Sequence, residues 1–262
     1  MPKLNSLLDS VKTKRLQRER MTAINDRYRT MATILDSYFL TQDLRKAFPS
    51  VADVCDMRDV KSIIQDTPVE VTVTKDSFAE VEARLPRLCD EWRSAKDQEL
   101  VSMMQTAGVE GCIKIEEGEE DEVDVSCLDL ATTWFLCRDC TEPISYPRVL
   151  AHGHAIAIDY RNRRGDEPEM LIGLNCDLWN RNGDRISFHQ PAHEAARMIV
   201  QACGLDPDLT TADVMNGIDP ILECTACYDE TNGCNSGKLA MRWRRAVRSY
   251  GTLLRMELKA VS

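Results

Sequence analysis

Apolar residues in the first half of the chain recur at steps of three and four. Ile24, Tyr28, Met31, Leu35 and Tyr38 follow that spacing, which puts them on one face of a helix. Arg27, Arg29, Asp36 and Gln42 fall off that face, and Pro49 predicts the helix's end. Residues 1 to 23 are polar and basic, with Lys12, Lys14, Arg15, Arg18 and Arg20 and few apolar anchors, so they read as a mobile start. Val54, Met57, Val60 and Ile64 predict a second helix over Val51 to Ile64, broken at Thr67-Pro68. Val69 to Val73 alternates and is β-branched, as in a short strand or an extended link. Ser77-x-x-Glu80 has the form of a capping box. The helix it opens carries Phe78, Val81, Leu85, Leu88, Trp92, Leu100, Met103 and Met104. Residues 24 to 115 are thus expected to form a layer packed helix on helix.

The pattern changes after Glu116 to Asp124 (EEGEEDEVD), whose charge and low hydrophobicity predict a solvated linker. Segments then shorten, and cysteine and histidine concentrate. Ala155 to Tyr160, Met170 to Leu174 and Arg185 to Phe188 are strand candidates, with Arg161 to Glu167 a polar loop. Pro191 predicts a helix start, with Ala195, Ala196, Ile199 and Cys203 inward and Gly204 as a left-handed cap. Thr211 caps a short helix before Gly217. A long basic helix is predicted from Lys238 to Leu258 around Trp243, Val247 and Leu254. The expected fold class is α+β, mainly α: an N-terminal helical region, then a Cys/His-rich region over 125 to 262.

Candidate chemistry lies between Trp134 and His154, WFLCRDCTEPISYPRVLAHGH. Cys137 and Cys140 form a C-x-x-C knuckle, and His152 and His154 close the segment. Two thiolates two residues apart on a tight turn can reach one zinc ion. A second knuckle, Cys224 and Cys227, repeats the spacing. Each knuckle precedes an aromatic-x-Arg-x-apolar stretch. The first, Tyr146-Pro-Arg148-Val-Leu150-Ala-His152, ends in histidine; the second, Trp243-Arg-Arg245-Ala-Val247-Arg-Ser249, ends in serine. Candidate metal ligands are therefore Cys137, Cys140, His152, His154, Cys224 and Cys227. His154 is the first choice for a fourth ligand at the first knuckle and Cys127 the second. At the second knuckle Cys234 could replace the missing histidine, or both knuckles could share one four-cysteine site. A redox dithiol would need a βαβ setting that neither knuckle has. The alternative for each pair is two small buried side chains. His189 and His193 read as ordinary residues at a helix start. Cys55, Cys89, Cys112, Cys176 and Cys203 read as packing, and Trp92, Trp134, Trp179 and Trp243 as core anchors.

Composition narrows the functional classes. Of 262 residues 43% are hydrophobic, enough for a packed core, and the net charge is −10. That charge argues against broad nucleic-acid binding, which depends on cations meeting phosphates. No apolar run is long enough for a membrane span, and no short apolar leader stands at the start, so cytoplasm or nucleus is expected. In such a reducing compartment the eleven cysteines are expected to be thiols or metal ligands. The phosphate-loop, dinucleotide, nucleophile-elbow, zincin and zinc-deaminase motifs are all missing. The expected protein is a non-enzymatic zinc binder, with no catalytic residues, that mediates protein–protein contacts. The alternative is a nucleic-acid-binding zinc protein that uses the Arg-rich C-terminal helix.

FLCRDC, YPRVLAH, ACGLDPDLTTADVM, ILECTAC and MRWRRAV, in this order over roughly residues 75 to 255, resemble an uncharacterised fungal family. In that family two C-x-x-C knuckles bracket a helix followed by a GLDP turn, and some members carry an F-box-like description. The resemblance implies a knuckle-bearing domain and no established activity. Two departures stand out. Residues 1 to 45 lack the Leu-Pro start of an F-box, and Ser249 stands where a histidine commonly follows the second knuckle.

Overall fold

The computed structural model describes residues 2–43, 45–109, 124–158, 174–224, 240–250 and 258–261. The fold is α+β, mainly α. The chain divides into two compact units, each made of two segments: residues 1–93 with 155–181, and 94–154 with 182–262.

The first unit is built on α1 (Pro2–Phe39). Its predicted face holds: Ile24, Tyr28, Met31 and Leu35 are buried, and Tyr38 packs against the same cluster. The helix begins at Pro2, well before Ile24, although residues 7 to 20 bury nothing. Arg27, expected off the buried face, is only 3% exposed. Its guanidinium donates to the carbonyls of Ile64, Thr67, Pro68 and Val71 at 2.7–3.3 Å. These include carbonyls at the end of a helix, which have no partner within it.

The single helix predicted over Val51 to Ile64 is two, α2 (Val51–Asp56) and α3 (Arg58–Gln65). Met57 breaks them by adopting an extended conformation, φ −60° and ψ 135°. Ser50 and Asp53 form a capping box on α2. Asp53 also accepts the Trp179 N–H at 3.1 Å, which ties residues 174–181 to this unit. Val69 to Val73 forms turn and link, not a strand. The capping contact predicted at Ser77 lies three residues earlier. Ser77 Oγ accepts the Thr74 N–H at 3.2 Å, opening a 3-10 turn over Lys75–Phe78. Helix α4 (Ala79–Thr106) follows, and the division between the units falls inside it, after Arg93. Phe78, Val81, Leu85, Leu88, Trp92, Leu100 and Met104 are buried as predicted, and Met103 is half-buried.

The second unit holds two small antiparallel sheets. One has the order β2-β1-β3, from β1 (Trp134–Cys137), β2 (Ile144–Ser145) and β3 (Ile186–Phe188). The other has the order β5-β4-β6, from β4 (Ile221–Cys224), β5 (Ala240–Arg242) and β6 (Leu258–Val261). Helices α5 (Gln190–Ala202), α6 (Ala212–Ile218) and α7 (Trp243–Tyr250) complete it. One core joins Trp134, Ala196, Ile199, Met215, Leu222 and Trp243. The rings of Trp134 and Trp243 meet edge to face at 6.1 Å.

Three expectations fail here. Over its described residues the predicted long C-terminal helix is instead strand β5, the two-turn helix α7 and, from Leu258, strand β6. Its apolar positions serve the β-sheet as much as a helix face: Met241 pairs across to Leu222, and Trp243 and Val247 fill the core. Ala155 and Ile156 lie in a 3-10 turn (Gly153–Ile156), not a strand. Helix α6 runs past Gly217 to Ile218. Gly204 does adopt φ +75°, as predicted for the end of α5. The acidic stretch 116 to 123, Cys112, Asp159 to Gly173, Cys227 and Cys234 lie outside the described residues. Among those described, no helix is long and apolar enough to cross a membrane.

Candidate metal centre

The first knuckle is the outer end of a β-hairpin. Strand β1 buries Trp134, Phe135 and Cys137 and leaves Leu136 half-buried, while β3 aligns Ile186 with Cys137. Beyond the strand Arg138 N–H still donates to Arg185 O at 2.9 Å. The chain then turns: Cys140 N–H donates to Cys137 O at 2.9 Å, which draws the two cysteines together. It returns as β2, with Phe135 opposite Ile144 and Trp134 opposite Ser145.

After β2 the backbone coils through successive short turns. Val149 N–H donates to Ser145 O, Leu150 to Pro147 O, and His152 to Val149 O, at 3.0–3.3 Å. Val149 and Leu150 are buried, so their packing anchors the coil that presents His152. The 3-10 turn that follows carries His154. Arg185, itself 4% exposed, donates to the His154 carbonyl at 2.9 Å and fixes that turn to the start of β3.

This arrangement converges four donor atoms. One ligand atom from each of Cys137, Cys140, His152 and His154 lies within 4.8 Å of the others. Cys140 Sγ is 3.3 Å from His152 Nε2 and 3.1 Å from His154 Nδ1. The two imidazole rings stand perpendicular, their centroids 5.2 Å apart. Around a small tetrahedral ion, bonds of about 2.0–2.3 Å to nitrogen and sulfur set a ligand S···N separation of roughly 3.6 Å. The two Cys140 separations are shorter than that by about 0.3 and 0.5 Å and the other pairs lie within 4.8 Å, so side-chain rotations would bring the four atoms around one ion. The donor set therefore fits, and the group could hold a metal ion.

Electrostatics favour a cation here. The Cys140 thiol is pushed up by burial, then by the Cys137 thiol beside it and by Asp139. Two thiolates in one place repel each other, and a divalent cation removes that repulsion. The His152 imidazole is pushed down by burial and by its neighbours His154 and Arg148. It is thus neutral at pH 7, the form that binds metal. Four protein ligands would close a tetrahedral shell, leaving no position for a reacting water.

Other candidates resolve differently. Cys127 lies outside the group, its Sγ bonded to Asp124 O at 3.2 Å. Cys224 ends β4, where only its backbone is described, and Cys227 lies outside the described residues. His189 caps α5, its Nδ1 accepting the Ala192 N–H at 3.0 Å. His193 is buried, and its Nδ1–H donates to Thr132 O at 2.7 Å. Cys55 and Cys89 are buried thiols pushed up by burial, Cys89 to about 11, which suits packing. All four tryptophans are buried. Arg185 has no mark in the sequence beyond its place in a strand candidate, since nothing in RNGDRIS signals an arginine holding a ligand's backbone.

No family model matches the chain, nor does any curated protein or solved structure.

Proposed function

We propose that this chain is a non-enzymatic zinc-binding protein whose metal holds together a module for protein–protein contacts, in the manner of an adaptor. The observation that carries the reading is the convergence of two thiols and two imidazoles at the end of the β1–β2 hairpin. Zinc is the natural ion for this donor set, since two cysteines and two histidines around a tetrahedral ion make a closed, structural site. Structural zinc binding contributes directly to folding, because the unfolded chain has no preformed site. A small domain with sheets of three short strands gains most from such a clamp.

The test is limited proteolysis of the zinc-loaded protein with and without a strong chelator. Chelation should open residues 124 to 158 to protease, and added zinc should restore protection. Equal cleavage in both conditions would remove the structural zinc. Nucleic-acid binding through the C-terminal arginines has less support. Arg244 is engaged with Ser145 and Asn216, and Arg245 and Arg248 with Glu142, so α7 presents no free cationic row.

A further inference from the structure

The exposed part of α1 carries a seam. Leu7, Val11, Lys14, Arg18, Met21 and Asn25 follow one another at alternating steps of four and three, which keeps them in one row along a helix. The row lies roughly a quarter-turn from the face that buries Ile24, Tyr28, Met31 and Leu35. Leu7 is 62% exposed and Val11 58%, and Lys14 and Arg18 are exposed as well. A cleft of about 460 Å³ opens over the same row, and its described walls are Lys14, Gln17, Arg18, Met21, Thr22 and Asn25.

Two cations and no carboxylate stand among these wall residues. Neither Lys14 nor Arg18 has a side-chain partner among the described residues. Asp9 and Glu19, the carboxylates of residues 7 to 20, fall off the row, and Glu19 is taken by Arg15 at 2.8 Å. A helix that buries nothing over residues 7 to 20 lacks the packing that usually holds a helix in water. A second helix laid along the row would supply that packing.

We infer that this seam of α1 is docked by a helix of a partner protein, which sets acidic side chains against Lys14 and Arg18 and apolar ones against Leu7, Val11 and Met21. The inference rests on the protein-contact reading above and names the chemistry of the partner. It does not depend on the metal, whose ligands lie in the second unit while residues 7 to 25 belong to the first. Helices that pair through such a row choose partners by the charges placed in and beside it. Other occupants fit less well. A second copy of α1 sets like charges together in either direction: parallel helices put Lys14 on Lys14 and Arg18 on Arg18, and antiparallel ones put Lys14 on Arg18. A lipid surface would accept Leu7 and Val11, but Lys14 and Arg18 interrupt the apolar row before Met21. A polynucleotide offers phosphates to the two cations and nothing to the apolar members of the row.

The experiment uses the full zinc-loaded chain and fluorescence anisotropy at fixed salt. The probe is a labelled synthetic three-heptad helix with leucine along its seam and glutamate at the two central seam positions, which meet Lys14 and Arg18 in either direction. The control peptide has lysine at those two positions. The glutamate peptide should bind at least about tenfold tighter than the lysine peptide. Lys14→Glu combined with Arg18→Glu should reverse that preference, and Val11→Asp should weaken binding of the glutamate peptide at least about tenfold. All three positions are exposed, so the variants should keep the helix, and circular dichroism checks that they do. Equal binding of the two peptides, an unreversed preference, or no response to Val11→Asp would each overturn the inference. So would tighter binding to phosphatidylserine vesicles than to the glutamate peptide, or a dimer in sedimentation that Val11→Asp abolishes. Zinc content read on the same samples keeps the two proposals apart. Full zinc without peptide binding rejects this inference alone, and peptide binding without zinc rejects the metal alone.

Discussion

The guanidinium of Arg185 donates to the carbonyl oxygen of His154 at 2.9 Å. A buried arginine at the start of β3 thereby holds the backbone of a candidate metal ligand on the far side of the hairpin. Groups that orient ligands in this way typically change metal affinity by about 10–100-fold when removed. Arg185→Met should weaken zinc affinity by about that factor, as read by competition with a chromophoric chelator. An unchanged affinity would show that the 3-10 turn holds His154 without help.

Arg27 should be a stability determinant of the first unit. Its four carbonyl partners would lose their charged donor in Arg27→Met, and buried acceptors left unsatisfied are costly. The expected loss is about 2–4 kcal/mol, measured by denaturant unfolding. A loss below about 0.5 kcal/mol would mean that water replaces the guanidinium freely.

Trp92 offers a paired comparison. It is buried, yet its indole Nε1 has no hydrogen-bond partner among the described residues. Trp92→Ala should cost about 3–5 kcal/mol through the cavity it leaves. Trp92→Phe should cost less than about 1.5 kcal/mol, because it keeps much of the ring and removes an unsatisfied donor. Equal costs in thermal and denaturant unfolding would contradict this account of the site.

Metal affinity should depend on pH in a defined direction. The Cys140 thiol is raised, so it is protonated at neutral pH in the metal-free protein and must release its proton to bind. His152 is lowered, so it is already neutral there and releases none until the pH falls below the ordinary histidine range. Zinc binding should therefore tighten at least about tenfold per pH unit between roughly pH 6.5 and 8. Chelator competition at stepped pH checks this, and a flat profile would exclude thiolate ligation.

What is legible in the sequence follows the range over which each interaction acts. Ile24 to Leu35 and Phe78 to Leu100 announce their helices because a helix repeats its burial locally. Cys137, Cys140, His152 and His154 can be grouped because all four fall within eighteen residues of chain, at a spacing that a hairpin and one coil can close. Periodicity misplaces Arg27 because its partners lie 37 or more residues away, and an arginine on a helix reads as solvated. It overdraws the C-terminal helix for a similar reason. The residues of β5 and β6 become strands by pairing with β4, and strands so short carry too few residues to show a period of two.

We propose that Cys137, Cys140, His152 and His154 together hold one structural zinc ion. Elemental mass spectrometry of the purified protein, with Cys140→Ser alongside it, tests this most directly. The wild-type chain should carry zinc tightly, and the variant should carry one zinc atom fewer per chain. A wild type free of zinc, or a variant with an undiminished complement, would contradict it.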